Sequence, residues 1–271
     1  SKGQNKALMP NEYIQGKENS LTIDGVKIVF LAAPGETDDQ QYIYLPEEKV
    51  VCSGDNFYAS WPNLYAIRGS QYRDISCWIN SLDILLSLAS EYLLPGHGEA
   101  IIGREKITET IAPYREAINY VLEETLKGMN RGLSPDELVN TIKLPSHLKD
   151  LPQLQEYYGT VEWSIRGIFS GYVGWFDGNP THLGEMDVRE KAQKTLKLMN
   201  GAANVLTEIE RAMKAHEMQW ACELCDILLN AGEFTEQACQ YKAECLIFLG
   251  RMQTSANGRH YYLMSAKEIM K

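Results

Sequence analysis

The feature that most constrains the fold of this chain is a change in the spacing of apolar residues near Arg104. Before this position, short β-rich runs alternate with glycine-containing turns. After it, apolar residues recur at helical spacing almost to the C-terminus. Runs of strands followed by runs of helices are typical of an α/β part joined to an all-α part. We therefore predict two domains, one over residues 1–104 and one over residues 105–271.

The first of these domains is predicted to form an α/β layered structure. Asp24-Gly25 lies between two β-rich runs and predicts a type I′ hairpin turn. Residues 1–19 are polar and unpatterned, which predicts a loop or a mobile terminus. The other predicted elements are a hairpin over residues 20–33, strands over 41–45, 49–52 and 91–94, and a helix over 75–88.

The second domain is predicted to be helical throughout. Ser134 precedes Pro135 and an acidic first turn, a pattern that marks the start of a helix. The stretch 202–250 is similar to the antiparallel helix pairs of tetratricopeptide proteins. Helices are predicted over residues 105–127, 135–142, 157–175, 187–199, 202–216, 218–231, 234–249 and 257–270.

Composition excludes several classes of function. The net charge of −10 and the absence of a basic tract argue against a nucleic-acid partner. No apolar run approaches the ~18 residues needed to span a bilayer. Six cysteines are too few for a disulfide scaffold of this length, and Cys222-x-x-Cys225 is interpreted as part of a buried helix face. The compartment, periplasmic or secreted or cytoplasmic, stays open.

Three residues in the first hundred are candidate metal ligands. Glu36, Asp55 and His97 each follow a short apolar run and lie on a turn that contains glycine. Such turns leave the side chain free to point into a cleft. Two carboxylates and an imidazole form an oxygen-rich ligand set that zinc accepts, as do manganese and iron.

The sequence around these residues resembles the C-terminal portion of a metallo-β-lactamase-fold alkylsulfatase. That family presents a loop ligand, a Gly-Asp carboxylate and a Pro-Gly-His-Gly ligand in this order, and its alkylsulfatase branch has Pro-Gly-Glu-Thr in the first loop. The motifs that carry the resemblance are Pro34-Gly35-Glu36-Thr37-Asp38-Asp39-Gln40, Gly54-Asp55-Asn56-Phe57-Tyr58, Pro62-Asn63-Leu64-Tyr65-Ala66-Ile67-Arg68-Gly69, Pro95-Gly96-His97-Gly98, Glu156-Tyr157-Tyr158-Gly159-Thr160 and Gly174-Trp175-Phe176-Asp177-Gly178-Asn179-Pro180.

The resemblance implies a fold, a cofactor and a set of roles. The fold is the second half of an αβ/βα sandwich followed by an α-helical, tetratricopeptide-like dimerisation domain, so a homodimer is expected. Two zinc ions would activate a hydroxide, with Glu36 on one ion, Asp55 bridging both and His97 on the other. Asn63 and Arg68 would hold the sulfate group of the substrate.

The first metal motif of that family, His-x-His-x-Asp-His, is absent. The five histidines are His97, His147, His182, His216 and His260, and no two are close enough to form it. We therefore expect this motif in an upstream segment or in a partner chain, and we interpret the sequence as a C-terminal portion that starts inside the catalytic domain.

Each candidate residue also has a simpler interpretation. Glu36 would be an exposed loop carboxylate, Asp55 a turn residue and Asn63 a turn or helix-cap residue. Arg68 would pair with Asp74 or Glu36. The four histidines other than His97 are interpreted as structural or solvated. The aromatic residues between Tyr157 and Phe176 would form core packing or line a channel for an alkyl chain.

The leading functional hypothesis is zinc-dependent hydrolysis of alkyl sulfate esters to alcohol and sulfate. The alternative is a non-catalytic helical dimerisation or interaction module, since three ligands from one half of a site hold a metal weakly. A third hypothesis is a lactonase or thioesterase of the same fold, against which Glu36, Asn63 and Arg68 argue.

Overall fold

The computed structural model describes residues 9–10 and 13–271, which divide into two compact units. The first unit contains the described residues up to 65 together with 70–126 and 142–155. The second contains residues 66–69, 127–141 and 156–271. The domain boundary predicted after residue 104 stays a prediction. The compact units divide the chain at other positions, since helix α2, which begins at Arg104, belongs to the first unit up to residue 126.

A six-stranded sheet organises the first unit, with its strands in the order of the sequence. Its strands are β1 (Glu18–Ile23), β2 (Val26–Ala32), β3 (Gln41–Leu45), β4 (Val50–Gly54), β5 (Tyr92–Pro95) and β6 (Ile101–Ile102). Asp24 and Gly25 have φ of 49° and 83°, so both central residues of the first hairpin turn adopt the positive φ that a type I′ turn requires. This hairpin prediction is confirmed.

Strand direction places three loops at one edge of this sheet. β3 is antiparallel to both β2 and β4, so β2 and β4 run in the same direction. β5 is parallel to β4, with Cys52 paired to Leu94. The carboxyl ends of β2, β4 and β5 therefore meet at the same edge, where the loops that follow them lie side by side.

Helices cover one face of the sheet. Helix α1 (Ile75–Ser87) begins at Asp74, whose carboxylate accepts a hydrogen bond from the Cys77 amide. The Tyr42 hydroxyl donates to the carbonyl of Ser81 in α1 at 2.9 Å, which ties the helix to β3. Helix α2 (Arg104–Asn130) contributes Tyr114, which contacts Phe57 edge to face with ring centroids 5.0 Å apart.

The second unit is helical and has its own core. Buried residues of α5 to α8, among them Leu196, Ile209 and Leu228, form one hydrophobic cluster. Its helices are α3 (Pro135–Thr141), α4 (Val161–Val173), α5 (Val188–Leu198), α6 (Ala202–Lys214), α7 (Met218–Ala231), α8 (Thr235–Met252) and α9 (Ala256–Ile269). Consecutive helices from α6 to α9 pack against each other.

The predicted elements are confirmed apart from local differences. Of the polar region predicted as a loop, residues 18 and 19 belong to β1, and residues 1–8 and 11–12 lie outside the described residues. The two-residue strand β6 has no counterpart in the prediction, since it is too short to show an alternating pattern.

Cysteines and helix hydropathy agree with the sequence analysis. All six cysteines are free thiols, and Cys222 and Cys225 are buried on α7, as predicted for a helix face. Over residues 9–10 and 13–271, none of the helices combines the length and apolar composition of a bilayer-spanning segment.

Candidate functional site

The three predicted ligand residues follow the strands that end at the shared sheet edge. Glu36 lies in the loop after β2, Asp55 directly follows β4 and His97 follows β5. The Gly96 amide donates to the Gly54 carbonyl at 2.9 Å, which holds the last two loops together. A Cβ atom on Gly96 would lie 2.0 Å from Asp55 Oδ1, so only glycine permits this approach.

Asp55 and His97 are in contact. His97 Nε2 lies 3.5 Å from Asp55 Oδ1, and both side chains are reached by solvent. Two ligand atoms on one tetrahedral zinc ion are about 3.4 Å apart when each bond is about 2.1 Å long. The pair therefore fits two ligand positions of one metal ion. Within residues 9–10 and 13–271, however, no three or more His, Cys, Asp or Glu side chains are arranged to hold a metal.

Glu36 forms an ion pair with an arginine that was not predicted from the sequence. Arg73 Nη2 lies 2.6 Å from Glu36 Oε1, and Nη1 donates to Oε2 at 2.8 Å. Both side chains are almost buried, with 8% of Arg73 and 13% of Glu36 accessible. The interpretation of Glu36 as an exposed loop carboxylate is therefore wrong. Nothing in the sequence separates Arg73 from Arg68 as a partner for this carboxylate.

Arg73 also joins the Glu36 loop to the segment that contains Asn63. Its Nη1 donates a hydrogen bond to the carbonyl oxygen of Asn63. The backbone N–H of Asn63 in turn donates to the Tyr58 hydroxyl at 2.7 Å. One buried guanidinium thus fixes the positions of a predicted metal ligand and of a predicted sulfate ligand.

The side chain of Asn63 is the most unusual polar group in this unit. Asn63 is fully buried, and neither its amide oxygen nor its amide nitrogen has a hydrogen-bond partner. A buried amide without partners costs free energy, so its presence needs an explanation such as a ligand or a water. The interpretation of Asn63 as a turn or helix-cap residue does not account for this burial.

Asn56 fixes the loop that carries Glu36. Its Oδ1 accepts from the Glu36 amide at 3.1 Å, and its Nδ2 donates to the Ala33 carbonyl at 2.7 Å. Nδ2 also lies 3.3 Å from the Tyr42 hydroxyl, whose pKa is raised by burial. Asn56 directly follows Asp55, and this adjacency ties two ligand loops to each other. The sequence motif contained Asn56 but did not indicate this role.

Arg68, the second predicted sulfate ligand, belongs to the short stretch 66–69 of the helical unit. Its Nη1 donates to the Tyr158 hydroxyl at 3.4 Å in the same unit. Its role in sulfate binding stays a prediction.

The remaining histidines include two that pair with carboxylates. His147 Nε2 lies 2.8 Å from Glu116 Oε1, and His182 Nδ1 lies 2.6 Å from Asp177 Oδ2. His216 stacks on Phe248. These contacts agree with the structural interpretation of these three histidines.

A cleft opens beside His97. It has a volume of about 710 Å³ and is confined to the first unit. Its walls are mostly apolar, and its charged members are Glu99, Lys106 and Glu109. Its apolar lining residues include Phe57, Ala59, Pro95, Ile101, Leu151 and Pro152.

Comparison with known proteins gives consistent matches. A linear primary-alkylsulfatase from Pseudomonas sp. is 39% identical over 250 residues, which cover 92% of this chain and 47% of that protein. An alkyl/aryl-sulfatase of Saccharomyces cerevisiae is 28% identical over 273 residues, covering 99% of this chain and 42% of that protein. This chain thus spans less than half the length of these relatives.

A solved structure agrees over almost the whole chain. The stereoselective inverting sec-alkylsulfatase from Pseudomonas sp. superimposes with a TM-score of 0.90 at 28% identity, over 97% of this chain and 42% of that one. The predicted fold class, half of a metallo-β-lactamase-type α/β structure followed by a helical part, is confirmed by this match.

A protein family is matched by slightly more than half of the chain. Residues 134–271, which contain helices α3 to α9, match the family described as alkyl sulfatase dimerisation. Together with the alkylsulfatase relatives, this match confirms the resemblance drawn from the sequence motifs. The chain belongs to the alkyl sulfatase dimerisation family.

Proposed function

We propose that this protein takes part in the hydrolysis of alkyl sulfate esters to alcohol and sulfate. The observation that carries the proposal is the convergence of Asp55, His97 and the Glu36 loop at one sheet edge, with Asp55 and His97 3.5 Å apart. The relatives named above, which are alkylsulfatases, support this choice of reaction.

Asp55 and His97 would hold zinc in the active enzyme. The chemistry that zinc supplies in hydrolases is Lewis acidity and a water of lowered pKa. Arg73 keeps the Glu36 carboxylate oriented and places a positive charge beside it in an almost buried position. We propose that the remaining ligands come from a segment with the pattern His-x-His-x-Asp-His that lies outside this sequence.

Substrate binding would use both polar and apolar groups. The unpartnered amide of Asn63 and the guanidinium of Arg68 are proposed donors to the sulfate oxygens, because planar amides and guanidinium groups match that geometry. The cleft beside His97 is a candidate for the alkyl chain, since its lining is mostly apolar.

The second candidate function is a non-catalytic dimerisation module. It is favoured by the dimerisation family match over residues 134–271 and by the lack of three grouped ligands within residues 9–10 and 13–271. We infer in either case that the protein forms a homodimer.

Metal content and turnover distinguish the two functions. Zinc is measured by elemental mass spectrometry, and sulfate release from dodecyl sulfate is measured on the same sample. Bound zinc with turnover would support the hydrolase. The same two measurements are repeated after addition of a peptide segment that carries the His-x-His-x-Asp-His pattern. The module is favoured if the chain shows neither bound zinc nor sulfate release, with or without this segment.

Variants assign any bound zinc to the candidate site. Asp55→Ala and His97→Ala should each lower zinc occupancy at least about tenfold, since each removes one ligand. Glu48→Ala is the control, because Glu48 is an exposed carboxylate in the turn between β3 and β4 at the opposite edge of the sheet. Equal zinc loss in all three variants would contradict the assignment.

A further inference from the structure

A cavity of the helical unit shares no residue with the candidate active site. It has a volume of about 650 Å³ and is formed by the turn between α6 and α7, the first turns of α7 and the last turns of α8. Three aromatic rings line it, those of His216 in the turn, Trp220 on α7 and Phe248 on α8. Two carboxylates, Glu217 and Glu223, line it as well. The proposed hydrolysis uses none of these five residues.

The rings leave aromatic surface open in this cavity. Trp220 is 41% exposed and Phe248 is 37% exposed. His216 stacks on Phe248, with ring centroids 6.0 Å apart and an angle of 28° between the ring planes. Aromatic surface that stays in water does not contribute the free energy that its burial would supply. Three rings gathered around one cavity are therefore suited to a ligand that covers them.

The backbone turn brings the His216 ring to this position. His216 has a φ of 61°, a left-handed conformation that glycine usually supplies where a helix ends. Its amide donates to the Met213 carbonyl at 3.1 Å, and the Glu217 amide donates to the Ala212 carbonyl at 2.9 Å. These are the two hydrogen bonds of a Schellman motif at the end of α6. A glycine would close the same turn, but it would leave Phe248 without a stacked ring.

The carboxylates of the cavity are not neutralised within the described part of the chain, where no lysine or arginine lines the cavity. The partner of Glu223 is neutral, since Glu223 accepts from the side-chain amide of Gln219 at 2.9 Å. Arg211 binds Glu208 through Nε and Nη2, and Glu208 and, to a lesser extent, Glu217 raise the pKa of this arginine. Glu217 thus shares a guanidinium that another carboxylate already binds. Residues 208–223 contain four glutamates and two basic residues, so the segment is acidic.

We propose that this cavity binds an organic cation of the quaternary ammonium class. Such a cation is attracted to the negative faces of aromatic rings. It needs no hydrogen-bond acceptor and is less strongly hydrated than a primary ammonium group, so Glu217 and Glu223 act on it through their charge alone. The group can belong to a free small molecule or to a trimethylated lysine of another protein, because both present the same chemistry. This binding does not depend on the proposed hydrolysis.

Titration calorimetry of the 271-residue chain with choline tests the proposal. The control ligand is the neutral analogue of choline in which a carbon atom replaces the charged nitrogen. Choline should bind at least about tenfold more tightly than this analogue, because only the cation is attracted by the rings and the carboxylates. An analogue that binds as tightly as choline would overturn the proposal. This comparison needs no variant, so it is unaffected by any variant that fails to fold.

Variants assign the bound cation to this cavity. Trp220→Leu should weaken choline binding at least about tenfold, because it removes one ring and keeps an apolar side chain. Glu223→Gln should weaken it about threefold, since the charge is lost while the size is kept. Trp175→Leu is the matched control, because Trp175 is 74% exposed in the same unit and does not line the cavity. Equal weakening in the two tryptophan variants would overturn the assignment.

A peptide that carries one trimethyllysine distinguishes the two sources of the cation. If it binds at least about tenfold more tightly than choline, the result supports the cavity as a site for a methylated protein. Equal affinities of the peptide and choline support a free small cation as the ligand. If neither ligand binds at millimolar concentration, the proposal is overturned.

Discussion

The buried ion pair between Arg73 and Glu36 determines how the first ligand loop is held. Arg73→Ala would leave the almost buried Glu36 carboxylate without its guanidinium partner, so we expect a loss of about 3 kcal/mol in the free energy of unfolding. Urea denaturation followed by the fluorescence of Trp61 and Trp78, both buried in the first unit, measures this change. The double variant Arg73→Met, Glu36→Gln should recover part of the loss.

A surface pair with the same geometry provides the control. Arg115 binds Asp83 through Nε and Nη2, each at 2.9 Å, but both side chains are about a third to a half exposed. Arg115→Ala should therefore cost no more than about 1 kcal/mol. If Arg73→Ala lowers the free energy of unfolding by no more than Arg115→Ala does, burial does not strengthen the contribution of the Arg73–Glu36 pair to stability.

Asn63 and Asn56 form a second matched pair, since both are fully buried. Asn63→Leu should change the free energy of unfolding by less than about 1 kcal/mol, because the side-chain amide of Asn63 makes no hydrogen bond that could be lost. Asn56→Leu should cost at least about 2 kcal/mol, because it leaves the Glu36 amide and the Ala33 carbonyl unpaired. Urea denaturation of both variants measures the difference.

A stability loss in Asn63→Leu as large as that in Asn56→Leu would show that Asn63 has a structural role. If Asn63 instead binds sulfate, Asn63→Leu should lower kcat/KM for dodecyl sulfate at least about tenfold while the fold stays stable. This measurement uses the chain together with the segment that supplies the His-x-His-x-Asp-His ligands. The two measurements together separate a structural amide from a substrate-binding one.

At the residue level, the sequence alone identified the candidate metal ligands but not the residues that contact them. Glu36, Asp55 and His97 were found because each follows a strand on a glycine turn, which is a local pattern. Arg73 was missed because its partner is 37 positions away in the chain, and only the strand order of the sheet brings the two together.

At the scale of single elements, the start of α3 is the clearest sequence-encoded feature. The Glu137 carboxylate accepts from both the amide and the hydroxyl of Ser134, at 2.8 Å each. The backbone hydrogen bond from Ser134 lowers the pKa of Glu137. A carboxyl whose pKa is lower in the folded state stabilises the helix above its unfolded pKa and loses this effect as pH falls through the folded pKa.

We therefore expect amide exchange in residues 135–141 to become faster, relative to the intrinsic rate, as the solution is acidified below about pH 4.5. Glu137→Gln should remove this pH dependence, because a neutral amide does not titrate. Glu105→Gln, at the exposed start of α2, is the control and should leave the exchange of α3 unchanged. A pH dependence that persists in Glu137→Gln would contradict the interpretation.

The elements that the sequence predicted are those with local determinants. Asp24-Gly25 determined the first hairpin, and Ser134 with Pro135 determined the start of α3. Helix α4 begins at Val161 rather than at 157, because Thr160 caps it and accepts from the Trp163 amide at 3.1 Å. Phe169 is buried, but Trp175 is 74% exposed, so the interpretation of this aromatic region as core packing is wrong for Trp175. Aromatic residues in a sequence indicate burial on average and do not indicate which of them stay exposed.

At the scale of the whole molecule, one face of the sheet is apolar and open to solvent. Strand register places Phe30, Ile43, Cys52 and Leu94 in one row across four strands. Ile43 and Leu94 are both exposed, by 39% and 40%. A second row on the same face is formed by Leu45, Val50, Tyr92 and Ile102, of which Tyr92 and Ile102 are exposed. A contiguous apolar surface of this kind is rare on a monomeric soluble protein.

The 271-residue chain should therefore bind the dye ANS in its native state, because this dye reports exposed apolar surface. The double variant Ile43→Lys, Leu94→Lys should lose more than half of the ANS fluorescence, since the lysines interrupt the first row at its exposed positions. Met252→Lys, Met270→Lys is the control: these residues are 69% and 60% exposed on the helical unit and belong to neither row. Dye binding that falls equally in both double variants would contradict the assignment of the dye site to the sheet. A loss that is specific to the sheet variant would show that ANS binds to the open face of the sheet.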